Sequence, residues 1–493
     1  MKKRIITALL LMSMLLTAAV SCGSDDSADQ TQETTNALTE EVATAETEAP
    51  RIDPGLPDKD FGGYTFRVLG KGTTDVHWKT KDIYAKEENG EPINDAVYRR
   101  NSVIGEKYNF KMEDVAPANY NDIPGQASKA VLAGDNEFDM FSFHVSSLIN
   151  NNYLYNLYDI PHINLSQPYY DQNMIEAMTL GGKLFAVIGD LIIMDNEATI
   201  CTTFNKKLIA DYGIADKFGG DLYQLVNEGK WHLDTFNEIA SIVAKDLNGD
   251  GQMTELEDQW GFQTENANYR LLFFGAGGRE TKINADGYPI STIMNEKAVE
   301  VISKVYDIQT AGYTLSANGL KNSYGDLWTE CIDKNFIEGR ALFSVAGLNR
   351  VSVFRSMEVD FGILPLPKYD ETQEKYGNPL SFNCSSYIAV PATAVETERT
   401  GIIIEALSCE SMYVLTPAFY DITLEGKAIR DEESSEMLDL IFANRVFELG
   451  HYFNWGSLGS IYYDKNTFAS QIAAKETVIA NDIEKTMNVI LGE

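Results

Sequence analysis

The chain predicts an α/β fold with parallel strands, built as two domains and finished by a mainly helical C-terminal region. Strand-like and helix-like periods alternate between residues 60 and 142, the signature of strands joined by helical crossovers. Residues 51–493 are a run whose length is usual for two domains. Past Pro391 helical periods dominate.

The elements follow in order. Asp60-Phe61-Gly62-Gly63 makes a turn, and Tyr64 to Leu69 alternates as a strand. Gly70 to Trp78 reads as a polar, glycine-containing loop. Asn94 to Tyr108 has apolar residues at helical spacing behind an Asn cap. Phe110–Met112 is a second strand, Ala127–Ala133 a helix and Phe138–Ser142 a third strand. Further on come an apolar run, Ile192 to Phe204, and helices near Thr235–Lys245 and Glu296–Gln309. Phe336–Val345 reads as a helix end entering a strand, and Phe361–Leu364 as another strand. The C-terminal helices are placed at Glu405–Met412, Ser434–Leu449 and Phe468–Ile490. No internal repeat is visible.

The N-terminus specifies export. Lys2, Lys3 and Arg4 precede an almost wholly apolar stretch from Ile5 to Val20, and Ala19-Val20-Ser21-Cys22 follows, a secretory signal rather than a spanning segment. Residues 23–50 hold eight acidic residues and no Lys or Arg. Such a segment cannot bury enough apolar surface to offset its ordering entropy and reads as a tether. Its reach when extended is roughly 90 Å. No later stretch reads as long and apolar enough to span a bilayer.

The formal charge of the whole chain is −33, and most of it lies on the body after residue 50. That excess repels nucleic acid and anionic headgroups, so nucleic acid is excluded as a partner. Cys201, Cys331, Cys384 and Cys409 show no CxxC pairing, and the five histidines are scattered, so no zinc site is legible. A Cys384–Cys409 disulfide is open, with small buried thiols the preferred reading.

Residues 246–261 read DLNGDGQMTELEDQWG. In a calcium loop, positions 1, 3, 5 and 12 supply side-chain oxygens, 7 a carbonyl and 9 often a water, with glycine at 6. Here those places hold Asp246, Asn248, Asp250, Glu257, Gln252 and Thr254, with Gly251 at the turn. We therefore expect one structural Ca2+. A merely acidic turn is the alternative. No second such loop is present, so a sensor pair is not expected.

The Ala-Val-Ser-Cys ending resembles the bacterial lipobox, whose cysteine is lipidated; alanine stands where the leucine is usual. The order of several phrases resembles the extracellular solute-binding proteins of bacterial ABC importers, the maltose-binding-protein-like family 1, in lipoprotein form. These are FDMFSFHVSSLINNNYLYNLYDI, GGKLFAVIGDLIIMDNEATICTTFNKKLIADYGI, FIEGRALFSVAGLNR with VDFGILPLPKYD, and PLSFNCSSYIAVPATA. The resemblance implies a two-lobed periplasmic-binding-protein-like fold with interlobe crossing strands. Its implied boundaries are signal peptide 1–22, acidic tether 23–58, lobe 1 at 59–190 and 388–425, and lobe 2 at 191–387 and 426–493. It also implies a monomeric receptor, lipid-anchored through Cys22 on the extracellular face of a Gram-positive cell membrane. Such a receptor would bind a mono- or oligosaccharide and deliver it to an importer permease, and would not be an enzyme. The alternatives are a surface sensor or adhesin and, last, a carbohydrate-active enzyme; no G-x-S-x-G, H-E-x-x-H or phosphate-cradling glycine motif appears.

By the same resemblance the ligand contacts are Trp78, Phe143, His144, Glu197, Tyr269, Asn349, Arg350 and Trp455. Sugars present apolar C–H faces to aromatic rings and hydroxyls that need partners in a desolvated cleft. Each has a plainer alternative: packing for the aromatic residues, a satisfied interior histidine for His144, a solvated edge for Glu197, and a surface ion pair for Arg350.

Overall fold

A computed structural model describes residues 50–75, 77–424 and 432–493; the signal peptide, Cys22 and tether residues 23–49 lie outside these. Residues 52–493 form one unit. Its first sheet has order β2-β1-β3, from β1 (Tyr64–Gly70), β2 (Phe110–Val115) and β3 (Met140–Ser142), all parallel. The rest of the chain supplies β4 (Ile200–Asn205), β5 (Trp260–Thr264), the hairpin β6 (Thr281–Ile283) and β7 (Pro289–Ser291), β8 (Thr314–Ser316), β9 (Ala341–Gly347), β10 (Phe361–Leu364), and the short pair β11 (Asn378–Pro379) and β12 (Arg445–Val446). The second sheet runs β10-β4-β9-β5-β8, with β5 parallel to both β9 and β8 and β4 antiparallel to its neighbours.

Two runs of chain pass between the sheets side by side. Antiparallel bridges pair Thr199 with Leu380, Val187 with Ile388, and Phe141 with Ala389. Residues 187–199 and 380–391 therefore form the crossing between the lobes, bridged at single pairs rather than as regular strands.

Local chemistry explains most boundaries. The helix Pro92–Tyr108 starts before the expected Asn94, because Glu91 accepts from the Asn94 amide at 2.8 Å and Pro92 occupies the first turn. It buries Ile93, Ala96, Val97, Arg100, Ile104 and Tyr108 on one side. The Arg100 guanidinium donates to the carbonyls of Asp82 and Leu191 and to Ser411, joining three segments. The helix Thr397–Leu424 corrects the expectation about spanning stretches. Its span Thr397–Ile422 is long and apolar enough to cross a membrane, but 67% of its most apolar 18-residue stretch is buried in the protein. It is a core helix packed on Pro92–Tyr108.

Two further boundaries differ from expectation. Residues 52–56 belong to the folded unit rather than the tether: the Ile52 amide donates to the Tyr413 hydroxyl at 2.7 Å, and Ile52 and Leu56 pack on the core. Residues 434–449 are not one helix, since Glu432–Ala443 ends and β12 follows. The last helix, Phe468–Leu491, touches both lobes. Thr486 donates to Asn150, Lys183 donates to the Ile490 carbonyl, and the same helix packs along β7. Cys201, Cys331, Cys384 and Cys409 are free thiols.

Candidate functional site

In parallel sheets, ligands collect beyond the carboxyl ends of the strands, where loops converge and backbone groups are unpaired. Here the loop after β1 of the first sheet reaches the end of β9 of the second. Gly347, the last residue of β9, shows why a glycine is needed there. A Cβ on it would lie 2.7 Å from the Glu197 carbonyl, 2.9 Å from Asn349 Oδ1 and 3.0 Å from Trp78 Cη2. Trp78 comes from the loop after β1, Glu197 from the first crossing run and Asn349 from the start of the helix Asn349–Phe354 that follows β9. Three expected contacts, one from each part of the frame, thus meet around one residue.

Polar groups fix the meeting. Lys81 donates to Glu197 Oε1 at 2.9 Å, while burial pushes the Glu197 carboxyl upward. Asn349 Nδ2 donates to the His77 carbonyl at 3.4 Å. Arg350, the fourth expected contact in this group, donates to Asp333 at 3.0 Å and lies 4.7 Å from the centre of the Trp328 ring. Burial pushes Asp333 up to about 6 against the pull of Arg350. His77 stands 3.4 Å from Asp326 and 3.5 Å from Arg350. Arg350 is therefore buried in the wall these residues form, not in a surface ion pair.

Sequence reasoning missed several members of this wall. Lys71, which follows β1, donates to the carbonyls of Asn383 at 2.9 Å and Cys384 at 2.7 Å, tying the first lobe to the second crossing run. Glu265 follows β5; burial pushes its carboxyl up, and Lys321 and Arg350 pull it back. His77, Asp326 and Trp328 complete the set. For Lys71 and Glu265 the signal was their place directly after a strand.

The other four expected contacts lie elsewhere. Trp455 is 2% exposed, stacked on Phe453 and bonded through Nε1 to Thr486, which makes it a packing residue. Phe143 is buried beside Phe141. His144 is enclosed between Tyr387 and Tyr452, with Nε2 against the Ser146 hydroxyl, and burial lowers it to about 4. Tyr269 is buried against Tyr306 and Tyr463. These readings correct the expectation: Trp455, Phe143 and Tyr269 are buried against other rings, and the half-buried His144 packs between Tyr387 and Tyr452.

Residues 246–257 are a turn of the expected design. Asp246 accepts from the Gly249 and Gly251 amides, Asn248 from Asp250, and Asp250 from Gln252. Gly251 has φ +82°, which glycine adopts freely. Asn248 Nδ2 reaches Asp250 and Glu257, and Thr254 reaches Glu257, so the oxygen donors face one another. Among the described residues no three His, Cys, Asp or Glu side chains gather closely enough to hold a metal alone. A cation here would also need amide, hydroxyl and carbonyl oxygens, a donor set that suits calcium.

With this geometry in place, solved structures offer a comparison. A sugar transporter from Rhizobium etli in an open conformation matches 87% of this chain and 100% of its own, at 13% identity and a TM-score of 0.54. The chain has the two-lobed fold of ABC-transporter solute-binding proteins. The galacto-N-biose-/lacto-N-biose I-binding protein from Bifidobacterium longum, complexed with lacto-N-biose, covers 87% and 99% at 11% identity and a TM-score of 0.54. UgpB from Mycobacterium tuberculosis, in complex with glycerophosphocholine, covers 87% and 98% at 15% identity and a TM-score of 0.53. At such identities the likeness is one of fold. Family models and curated proteins give no match to the sequence. In this fold the crossing runs 187–199 and 380–391 join the two lobes.

Proposed function

We propose that this chain is a solute receptor of an ABC importer, binding a carbohydrate between its lobes and anchored through a lipid on Cys22 at the extracellular face of the cell membrane. One observation supports it above the rest: Trp78, Glu197 and Asn349 gather around Gly347 from both lobes and the hinge. An aromatic face with convergent hydrogen-bonding groups, split across a hinge, suits a hydroxyl-rich solute whose binding stabilises closure. The receptor acts as a monomer and hands the solute to a permease. In the same reading, the loop from Asp246 to Glu257 holds one Ca2+ as a structural staple in lobe 2.

Thermal unfolding of residues 51–493 against mono- and oligosaccharides tests the ligand class, because a solute that binds the native state alone raises Tm by mass action. Glycerophosphocholine belongs in the panel, since one solved protein of this fold holds it. A Tm raised only by that compound would overturn the carbohydrate reading while leaving the receptor reading in place.

A further inference from the structure

Away from this cleft, a cavity of about 170 Å3 opens between the first crossing run, the helix Thr397–Leu424 and β12. Three carboxylates, Asp171, Asp190 and Asp195, line it against one guanidinium, Arg445. Arg445 Nη1 is shared between two of them, 3.1 Å from Asp171 and 3.0 Å from Asp195. Asp190 is met by an uncharged group, the Thr416 hydroxyl, at 2.7 Å. Asp195 is 2% exposed, and its Oδ1 is buried without a hydrogen-bond partner among the described residues.

Buried carboxylates are costly unless paired. Burial pushes Asp190 up to about 6 and Asp195 up to about 7. With three carboxyl groups against one guanidinium, the cavity would hold their charge better with a further cation in it, and it has room for a ligand of a few heavy atoms, about six waters' worth of liquid volume. Asp171 and Asp195 Oδ2 are occupied by Arg445, which leaves Asp190 and Asp195 Oδ1. Two acceptors are too few for the shell of six to eight oxygens that a calcium-type ion demands. An ammonium group needs at most three acceptors. Tyr420 and Phe442 also line the cavity, giving apolar surface for the carbon body of such a ligand, with Arg445 lying 4.5 Å over the Phe442 ring.

We propose that this cavity is a second ligand site, for a small primary ammonium compound, bound by Asp190 and Asp195 beside the hinge. Methylammonium chloride is the probe, applied to the purified full-length chain with sodium chloride at equal concentration as control. Thermal unfolding should show a saturable upward shift of Tm with methylammonium and not with sodium, and titration calorimetry should show a matching isotherm. Asp190→Asn keeps the shape and should abolish both. Asp195→Asn should do the same if the first variant folds poorly. Equal shifts with the two salts, no shift with either, or a full methylammonium response in a folded Asp190→Asn protein would each overturn the proposal.

Discussion

His77 Nε2 lies 3.4 Å from Asp326 Oδ1. His77 stands in the loop after β1 of the first sheet, and Asp326 between β8 and β9 of the second, so the pair reaches from one lobe to the other. It brings together the loop after β1 and the segment that carries Asp326 and Trp328. Trp78 adjoins this pair and contacts the end of β9.

Trp78→Ala should weaken solute binding by roughly 1–3 kcal/mol, the scale of an aromatic anchor in a desolvated centre. Fold and Tm should change little, because the ring sits in a loop at the lobe boundary. Calorimetry with whichever solute raises Tm measures it; an unchanged affinity would make Trp78 a packing residue.

Trp455→Ala should behave in the opposite way. Its ring is enclosed, stacked on Phe453 and bonded to Thr486, so its loss leaves a cavity and removes one of the Thr486 hydroxyl's two hydrogen bonds. Destabilisation of about 3–5 kcal/mol is expected, as for other buried aromatic truncations. Denaturant unfolding would show it, with affinity retained in the folded fraction. A variant as stable as the parent would contradict the packing role.

The contrast between the two tryptophans shows how far sequence reasoning reached. Elements set by local periods were legible: Glu296–Gln309 and Phe361–Leu364 fall where the periods put them. The ladder between 187–199 and 380–391 was legible as two crossing runs but not as single bridges, because its partners lie about 200 residues apart. At 434–449 the apolar spacing runs on as a helix. Yet Asn444 accepts from the Asn378 amide, and the chain departs into β12. Tertiary pairing overrode the local period. Trp78, Glu197, Asn349 and Arg350, picked from positions after strands or in the crossing, do lie together around the end of β9. Phe143, His144, Tyr269 and Trp455 failed because an aromatic residue near a loop is equally at home inside a ring cluster, and only three dimensions separate the two.

His144 makes stability depend on pH. Burial lowers it to about 4 from an ordinary 6.5. The unfolded chain therefore binds its proton first, and the stability present above pH 6.5 is lost as pH falls toward 4. The full difference is about 3 kcal/mol by linkage. Buried carboxylates raised by burial, such as Glu448 at about 7, act in the opposite sense, gaining stability as pH falls. His144→Phe should therefore flatten the acid limb between pH 6.5 and 4, measured by denaturant titration at each pH. An unchanged limb would mean that the imidazole takes its proton without unfolding.

The proposed lipid anchoring rests on one thiol, Cys22, at the end of the apolar segment. Cys22→Ser removes the acceptor, so the protein should appear in the medium or remain unprocessed. Fractionation and mass measurement decide between these outcomes and the contrary one, a processed protein still in the membrane fraction, which would reject lipidation.

The loop from Asp246 to Glu257 yields the last test. Its backbone is already turned by Asp246, Asn248 and Asp250, each accepting amides two to five residues on. A cation would be drawn to their remaining lone pairs and to Glu257, where Asn248 now stands between carboxylates that repel one another. Free calcium at about 100 times its Kd would stabilise the fold by about 2.7 kcal/mol. Chelation should therefore lower Tm, while solute binding survives in the cold because the loop is not among the cleft residues. Asp246→Ala removes the carboxylate that holds the turn, and Glu257→Gln keeps size but halves the carboxylate's acceptors; both should abolish the response to chelator. The two variants should differ without metal. Asp246→Ala also frees the amides of Gly249 and Gly251 and should lose stability, whereas Glu257→Gln relieves repulsion and should not. Wild-type protein whose Tm is the same with chelator and with added calcium would show that the loop is a turn and nothing more.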